Sequence, residues 1–181
     1  MRPATAADRP AIEALIRARA EWLGGRGLPD WEGLDAKAPT YAAHAGTRVP
    51  VWAAIGEDTG RIAGVMGILD ETPRFLWPDE AERNRPAVFL ATAFTDPAYY
   101  GRRIGRLMAC WALDHAHRLG RLWVRRGTGP YPRLVAYYTR EQGWTLVSTV
   151  KRHGMDVHGF ARRAEPQPHL PELGMRLGVH E

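Results

Sequence analysis

The chain has 181 residues, 45% apolar and 25% charged, with 25 Lys and Arg against 20 Asp and Glu for a net charge of +5. That is length enough for one globular domain with a sizeable core, and no apolar run could span a bilayer or serve as a signal-peptide core. A single cysteine, Cys110, excludes an intrachain disulfide framework and points to a reducing, cytoplasmic setting. The positive charge is almost all arginine, interleaved with acidic residues, without a basic run, zinc-knuckle spacing, helix-turn-helix pattern or aromatic RNA-binding strand. A solvated arginine surface accounts for it better than a nucleic-acid face.

The opening RPATAAD moves from a very short strand into a helix, with Asp8 as its N-cap and Pro10 in the first turn, where a missing N–H costs little. Ile12, Leu15, Ile16, Arg19 and Leu23 fall on one face, Trp22 beside it, and Gly24–Gly27 stops the helix. A second helical stretch covers Leu34–His44. Two apolar runs around EDTG make Val51–Leu69 a hairpin, and the polar connection Asp70–Pro86 has room for one short helix. Pro86–Thr95 (PAVFLATAFT) reads as a buried strand ended by Asp96 and Pro97. Ile104, Leu107, Met108, Trp111, Ala112 and His115 then form a stripe at helical spacing, with Gly120 as the stop. Arg121–Arg126 is a strand, Arg133–Gln142 a short helix ended by Gly143, and Trp144–Val150 and Val157–Arg163 are two last strands. The tail, 164–181, is either a loose end or an arm that packs on the domain or on a partner. This order gives a mixed α/β (α+β) domain with antiparallel hairpins and a parallel crossover through the helix after Thr95.

That helix begins in DPAYYGRRIGRLM, Asp96–Met108. A helix N-terminus leaves backbone N–H groups unpaired and carries partial positive charge, glycine admits a bulky group to the backbone, and arginine adds fixed charge. The combination suits a phosphate, although neither GxxxxGK[ST] nor GxGxxG after a predicted strand is present. By spacing alone, an ordinary helix start with a solvated basic first turn explains it equally well. Other chemistries have less to stand on. Asp114–His117 is not HExxH and no second cluster offers metal ligands. Cys110 reads as a small core residue, and Ser148 lacks a nucleophile-elbow context. Trp22, Trp31, Trp52 and Trp77, the second and last in expected loops, either shape a pocket or cover the sheet edge.

TDPAYYGRRIG (Thr95–Gly105), followed by an apolar helix, a strand, a short helix with LVAYY and then Gly143–Trp144, resembles the GCN5-related N-acetyltransferase (GNAT) family. The family pattern there is V-x-P-x-x-[RQ]-G-x-G-[IL]-G, with a later Tyr and a Gly-aromatic pair. RPATAAD and the element order match too, so the resemblance spans Arg2–Arg163, implying a domain over 1–163 followed by the tail. It implies a largely antiparallel twisted sheet, flanked by helices and splayed in the middle to hold acyl-CoA. Acetyl-CoA would be the co-substrate, bound by Phe94, Thr95, Tyr100, Gly101, Arg102, Arg103, Ile104, Gly105 and Arg106. Phe94–Thr95 would hold the pantetheine and polarise the thioester carbonyl, and the amides of Tyr100–Arg106 would take the pyrophosphate. Tyr138 would protonate or hydrogen-bond the departing thiolate.

The sequence departs from the pattern in several places. Tyr100 stands where Gln or Arg is usual, Arg103 replaces the middle glycine, and Tyr131 is the nearest counterpart of a frequent Asn. One extra residue separates Tyr138 from Gly143, so counting back from Gly143–Trp144 selects Thr139, whereas LVAYY selects Tyr138, the preferred alignment. Val88–Thr95 has no carboxylate where many relatives carry a Glu, leaving Asp70, Glu71, His158 or water as general base, with His115 and His117 on the long helix. The implied activity is acetyl transfer to a primary amine, of a small molecule, by direct attack in a ternary complex. A peptide or protein N-acetyltransferase and a non-catalytic acyl-CoA-binding or sensing domain are the alternatives. No nucleic acid, membrane or metal is implied, and Leu170, Leu173, Met175 and Leu177 in the tail offer a homodimer contact.

Overall fold

The computed structural model describes residues 1–170. The elements are β1 (Arg2–Pro3), α1 (Arg9–Gly24), α2 (Trp31–Ala43), β2 (Val51–Ile55), β3 (Ile62–Leu69), α3 (Glu80–Arg83), β4 (Ala87–Thr95), α4 (Ile104–Arg118), β5 (Trp123–Thr128), α5 (Pro132–Ala136), β6 (Thr145–Arg152) and β7 (Met155–Arg163). Contacts gather the chain into two compact units. Among the described residues the first holds Met1–Ile68, Thr92–Ala109 and 168–170; the second holds Leu69–Ala91 and Cys110–Gln167. Of the tail residues suggested as a dimer contact, Leu170 is buried and the other three lie outside the described residues.

In the first unit, β1 pairs antiparallel with β2 (Arg2↔Ala53) and β2 with β3 (Val51↔Gly67, Ala53↔Val65). Arg2 donates through both Nη atoms to the Asp8 carboxylate at 2.7 Å, and Thr5 N–H donates to it at 2.7 Å. Asp8 therefore closes the turn before α1 instead of capping the helix with its side chain, and the Arg2 guanidinium holds its carboxyl well below the usual carboxylate range. The apolar stripe of α1 (Ile12, Leu15, Ile16) packs with Ala38 and Ala42 of α2 on Ala53 and Val65 of the sheet. Trp31, expected in a loop, is the first residue of α2.

Gly64 on β3 governs how the rest of this unit closes. A Cβ there would lie 2.5 Å from Met108 Sδ, 3.1 Å from the Phe94 carbonyl oxygen and 3.2 Å from Ile104 Cγ2. Only a residue without a side chain lets the end of β4 and the start of α4 approach β3 this closely. Asp96 N–H then donates to the Ala63 carbonyl at 2.9 Å, fixing the residue at which β4 gives way to the turn.

In the second unit, β4 pairs parallel with β5 from Ala87↔Trp123 to Leu90↔Arg126, β5 pairs antiparallel with β7, and β7 with β6. A parallel pair needs a long crossover, here through α4. The strand order is β1-β2-β3-β4-β5-β7-β6, with β4 belonging to both units. Leu76, Trp77, Phe89 and Ala161 form this unit's core, with Trp77 edge-on to Phe89. Trp77 is thus a loop residue, as expected, but one buried in the core. Buried Arg125 donates to Thr72 Oγ1 at 2.9 Å, the Arg83 carbonyl at 3.1 Å and the Glu82 carbonyl, fastening the connection before β4 to the sheet.

Gly64→Ala is expected to lower the unfolding free energy by about 1–3 kcal/mol, the usual cost of forcing a methyl group into a packed site. Urea unfolding measures it, and wild-type stability in the variant would show that α4 does not pack on β3 as described.

Candidate anion-binding turn and buried tyrosine

The turn between β4 and α4 is built by Asp96. Its Oδ1 accepts from Ala98 N–H at 2.8 Å, and Pro97–Tyr99 form one tight 3₁₀ turn whose carbonyls take the amides of Tyr100 and Arg102. Gly101 then takes φ +84° and Arg103 φ +55°. Among the described residues the amides of Gly101, Arg103, Ile104 and Gly105 have no backbone acceptor. A Cβ at Gly101 would meet nothing within 4 Å, and one at Gly105 only Thr95 Cγ2 at 3.9 Å. The result is an open turn lined by unpaired N–H groups at the positive end of a fifteen-residue helix.

The site residues expected around it fall into distinct roles. Arg103 and Arg106 are exposed, and neither makes an ion pair among the described residues. Arg102 is engaged: Asp58, on the β2–β3 hairpin tip, pairs with it at 2.7 Å, and its guanidinium lies 5.4 Å from the Tyr99 ring. The adjacent Thr59 hydroxyl hydrogen-bonds Tyr99 Oη, so the hairpin braces the turn from its outer side. A cavity of about 310 Å³ lies beside this brace, lined by Gly56, Asp58, Ala63, Tyr99, Arg102 and Leu107 among others. Tyr100 is 74% exposed, its ring 5.8 Å from that of Trp22. Phe94 turns its ring against Tyr41 in the core, and its carbonyl lies against Gly64 of β3. Ile104 is half-buried at the helix start.

Arg103 explains a departure from the family pattern. The glycine usual at that position suits a left-handed backbone, and the structure keeps that conformation with arginine in place. A residue with a Cβ there carries roughly 1–2 kcal/mol of strain.

Tyr138 belongs to the second unit. After α5 the chain widens into a π-helical turn, Tyr137–Glu141, in which Gln142 N–H reaches back to the Tyr137 carbonyl at 3.2 Å. This turn absorbs the extra residue noted between Tyr138 and Gly143, the kind of insertion that recurs at functional sites. Thr139, selected by the other alignment, donates its hydroxyl to the Val135 carbonyl at 3.0 Å. Tyr138 is 7% exposed, with its ring edge-on to Phe160, and Arg126 Nη2 donates to its hydroxyl at 2.5 Å. Burial pushes the Tyr138 phenol upward, while the Arg126 charge acts in the opposite direction without overcoming it. Tyr131 precedes α5, and Tyr137 is half-buried.

Asp70 pairs with Arg121 at 2.8 Å, Glu71 is exposed, and His158 Nδ1 lies 3.0 Å from Thr149 Oγ1. His115 is stacked on Trp111 with its pKa pushed down by burial. Among the described residues no three His, Cys, Asp or Glu are grouped to hold a metal ion, and no helix is long and apolar enough to cross a membrane. Sequence reasoning missed Arg126 as the partner of Tyr138 and Asp58 as that of Arg102. The available signal for the first was Arg125–Arg126, two adjacent arginines inside a largely buried strand.

No family model matches the chain, and no curated protein matches it. Solved structures do. A GNAT-family acetyltransferase from Listeria monocytogenes 4b F2365 aligns over 88% of this chain and 91% of its own, at 20% identity and a TM-score of 0.68. Aminoglycoside 6′-acetyltransferase type Ii aligns over 90% and 93% at 11% identity with a TM-score of 0.63. For yncA from Salmonella typhimurium, solved with its cofactor acetyl-CoA, the shares are 92% and 94%, at 18% identity and a TM-score of 0.57. The chain therefore has the GNAT fold: a mixed α/β, mostly antiparallel sheet of seven strands with flanking helices.

Arg103→Gly is expected to raise stability by about 0.5–1 kcal/mol, the strain relieved less the larger chain entropy of glycine, whereas Arg103→Ala keeps the strain. Equal unfolding midpoints for the Gly and Ala variants in chemical denaturation would show that the turn does not impose a left-handed residue there.

Proposed function

We propose that this chain is an acyl-CoA-dependent N-acyltransferase that moves the acetyl group of acetyl-CoA to a primary amine, that of a small molecule. The open turn at Gly101–Gly105, with unpaired amides and free Arg103 and Arg106 at the start of α4, carries the reading, because it fits a pyrophosphate. The likeness to yncA, which holds acetyl-CoA, and to an aminoglycoside acetyltransferase supports the donor and the small-molecule acceptor.

In this reading the amides of Tyr100–Arg106 bind the pyrophosphate and Arg103 and Arg106 supplement its counter-charge. The β4 ladder with β5 is formed by Ala87–Leu90 only; the Phe94 carbonyl and the Asp96 N–H face β3, so it is the main chain of Thr95 beside Phe94 that faces the unpaired edge, to pair with the pantetheine and direct an N–H at the thioester carbonyl. The amine nitrogen attacks the carbonyl carbon, the carbon–sulfur bond breaks, and the thiolate takes its proton from Tyr138. The proton lost by the amine leaves through water or through Asp70, Glu71 or His158.

Calorimetric titration with acetyl-CoA tests the donor site. Saturable binding by the wild type is expected to vanish in Gly105→Glu, which puts bulk and negative charge over the amides; no binding by a folded wild type would refute the reading. Turnover is then followed as thiol release with a panel of primary amines: an amino acid, a polyamine, an aminoglycoside and a peptide with a free N-terminus. Tyr138→Phe is expected to lower kcat by about 10²–10⁴ while acetyl-CoA still binds. Turnover with the peptide alone would move the assignment to peptide acetylation, and binding without turnover on any amine would favour an acyl-CoA sensor.

A further inference from the structure

Neighbouring residues of a strand face opposite sides of the sheet, and the two arginines of β5 meet opposite circumstances. Arg125 finds acceptors in Thr72 and in the carbonyls of Glu82 and Arg83. Arg126 is 9% exposed and makes no ion pair with a carboxylate among the described residues. Its Nη2 donates to Tyr138 Oη, and its guanidinium carbon lies 3.7 Å from the centre of the Tyr138 ring and 5.4 Å from that of Trp144. Its Nε is buried with no hydrogen-bond partner.

A buried guanidinium without an anion is unfavourable, and arginine does not relieve it by giving up a proton. Such a charge makes sense where an anion forms or arrives. Nε has no surface open to a ligand, whereas Tyr138 Oη already sits on Nη2 and becomes an anion on losing its proton. We propose that Arg126 is a positioning residue for Tyr138, orienting its hydroxyl and balancing the tyrosinate formed when Tyr138 protonates the departing thiolate. This rests on the acetyl-transfer reading above.

The proton balance is simple. The Tyr138 O–H bond breaks, an S–H bond forms on the leaving group, and the electron pair stays on Oη beside Nη2. Because Arg126 donates to one lone pair of Oη, the phenol proton is turned away from it toward another acceptor. After transfer the same contact becomes a charge-assisted hydrogen bond in a dry environment, where it is stronger. The proton shed by the amine, carried by water, restores the phenol. The groups bearing on this hydroxyl are Arg126 from β5 and Tyr137 from its own turn; Phe160 of β7 and Trp144 before β6, packed against the pair, do not titrate.

The test is an ultraviolet titration of tyrosinate, with Tyr138 isolated as the difference between each protein and its Tyr138→Phe counterpart. Fluorotyrosine incorporation brings the range down. Arg126→Met is expected to raise the Tyr138 midpoint by about one pH unit or more, a tenfold fall in its ionisation constant. It is also expected to lower kcat about tenfold or more with KM for acetyl-CoA unchanged. The alkaline limb of the kcat profile should move to higher pH, since an acid with a raised pKa stays protonated longer. Arg126→Lys should recover part of both effects. Arg126→Gln, a neutral donor, carries the same expectation as the Met variant should that one not fold. An unmoved Tyr138 midpoint in a folded neutral variant overturns the inference while leaving acetyl transfer intact. Turnover that survives Tyr138→Phe overturns the acid role itself, and this inference with it.

Discussion

Helix α4 begins with amides that its own chain does not satisfy, and the candidate site follows from that constraint. The residue placed to cap a helix after β4, Asp96, uses its carboxylate one turn too early, on Ala98, to form the tight turn that precedes α4. Gly101 and Arg103 then take left-handed backbone conformations that swing the chain into the helix with its first N–H groups bare. Unpaired amides are tolerable in water but are also ready donors for an anion, and the helix dipole adds to their attraction. Gly64 makes this possible from below, because the turn can sit against β3 only where β3 has no side chain.

Tyr138 follows the same logic in the other unit. Among the described residues Arg126 is a buried cation without a carboxylate partner, just as the first α4 amides are donors without a backbone acceptor. In both places the chain forgoes stability that a carboxylate nearby could have supplied, and carboxylates are not scarce in this protein, which has 20 of them. Where a carboxylate does meet an arginine by the turn, at Asp58–Arg102, it braces the outer side and leaves the amides open. Preorganised donors aimed at charge that appears only with ligand or during reaction are the main electrostatic resource of an enzyme.

Most of the fold could be read from the sequence because its elements obey their own periodicities. The α1 stripe, the hairpin around EDTG, the strand before Asp96 and the α4 stripe all stand where apolar spacing and turn residues put them. The exceptions have local causes. The last hairpin is longer than its apolar runs: Lys151 and Asp156 pair across it at 3.0 Å, and His153 and Gly154 both take positive φ in a two-residue turn, so polar residues that look like loop are strand. Trp77 does lie in a loop, but its burial could not be read from a segment without periodicity: Arg125 holds that segment against the sheet, and the indole packs in the core. At the site, the turn was legible as glycine and arginine at a helix start. The Arg126–Tyr138 contact was not, because it joins a strand to a helix through side chains whose directions depend on a π-helical turn.

The places where sequence and local rules disagree are therefore informative. Arginine is a poor choice for a left-handed residue, and an extra residue is a poor choice inside a short helix; each carries a local cost. Arg103 adds a free cation at the mouth of the amide turn, and the widened turn holds Tyr138 with its hydroxyl on Arg126. Local inconsistencies that merely accumulate by drift have no reason to select both the turn with unpaired amides and a buried phenol–guanidinium pair. In the proposed reading these are the two groups an acyl-CoA donor would meet, and a geometry set by a ligand is a physical reason for a chain to carry such local costs.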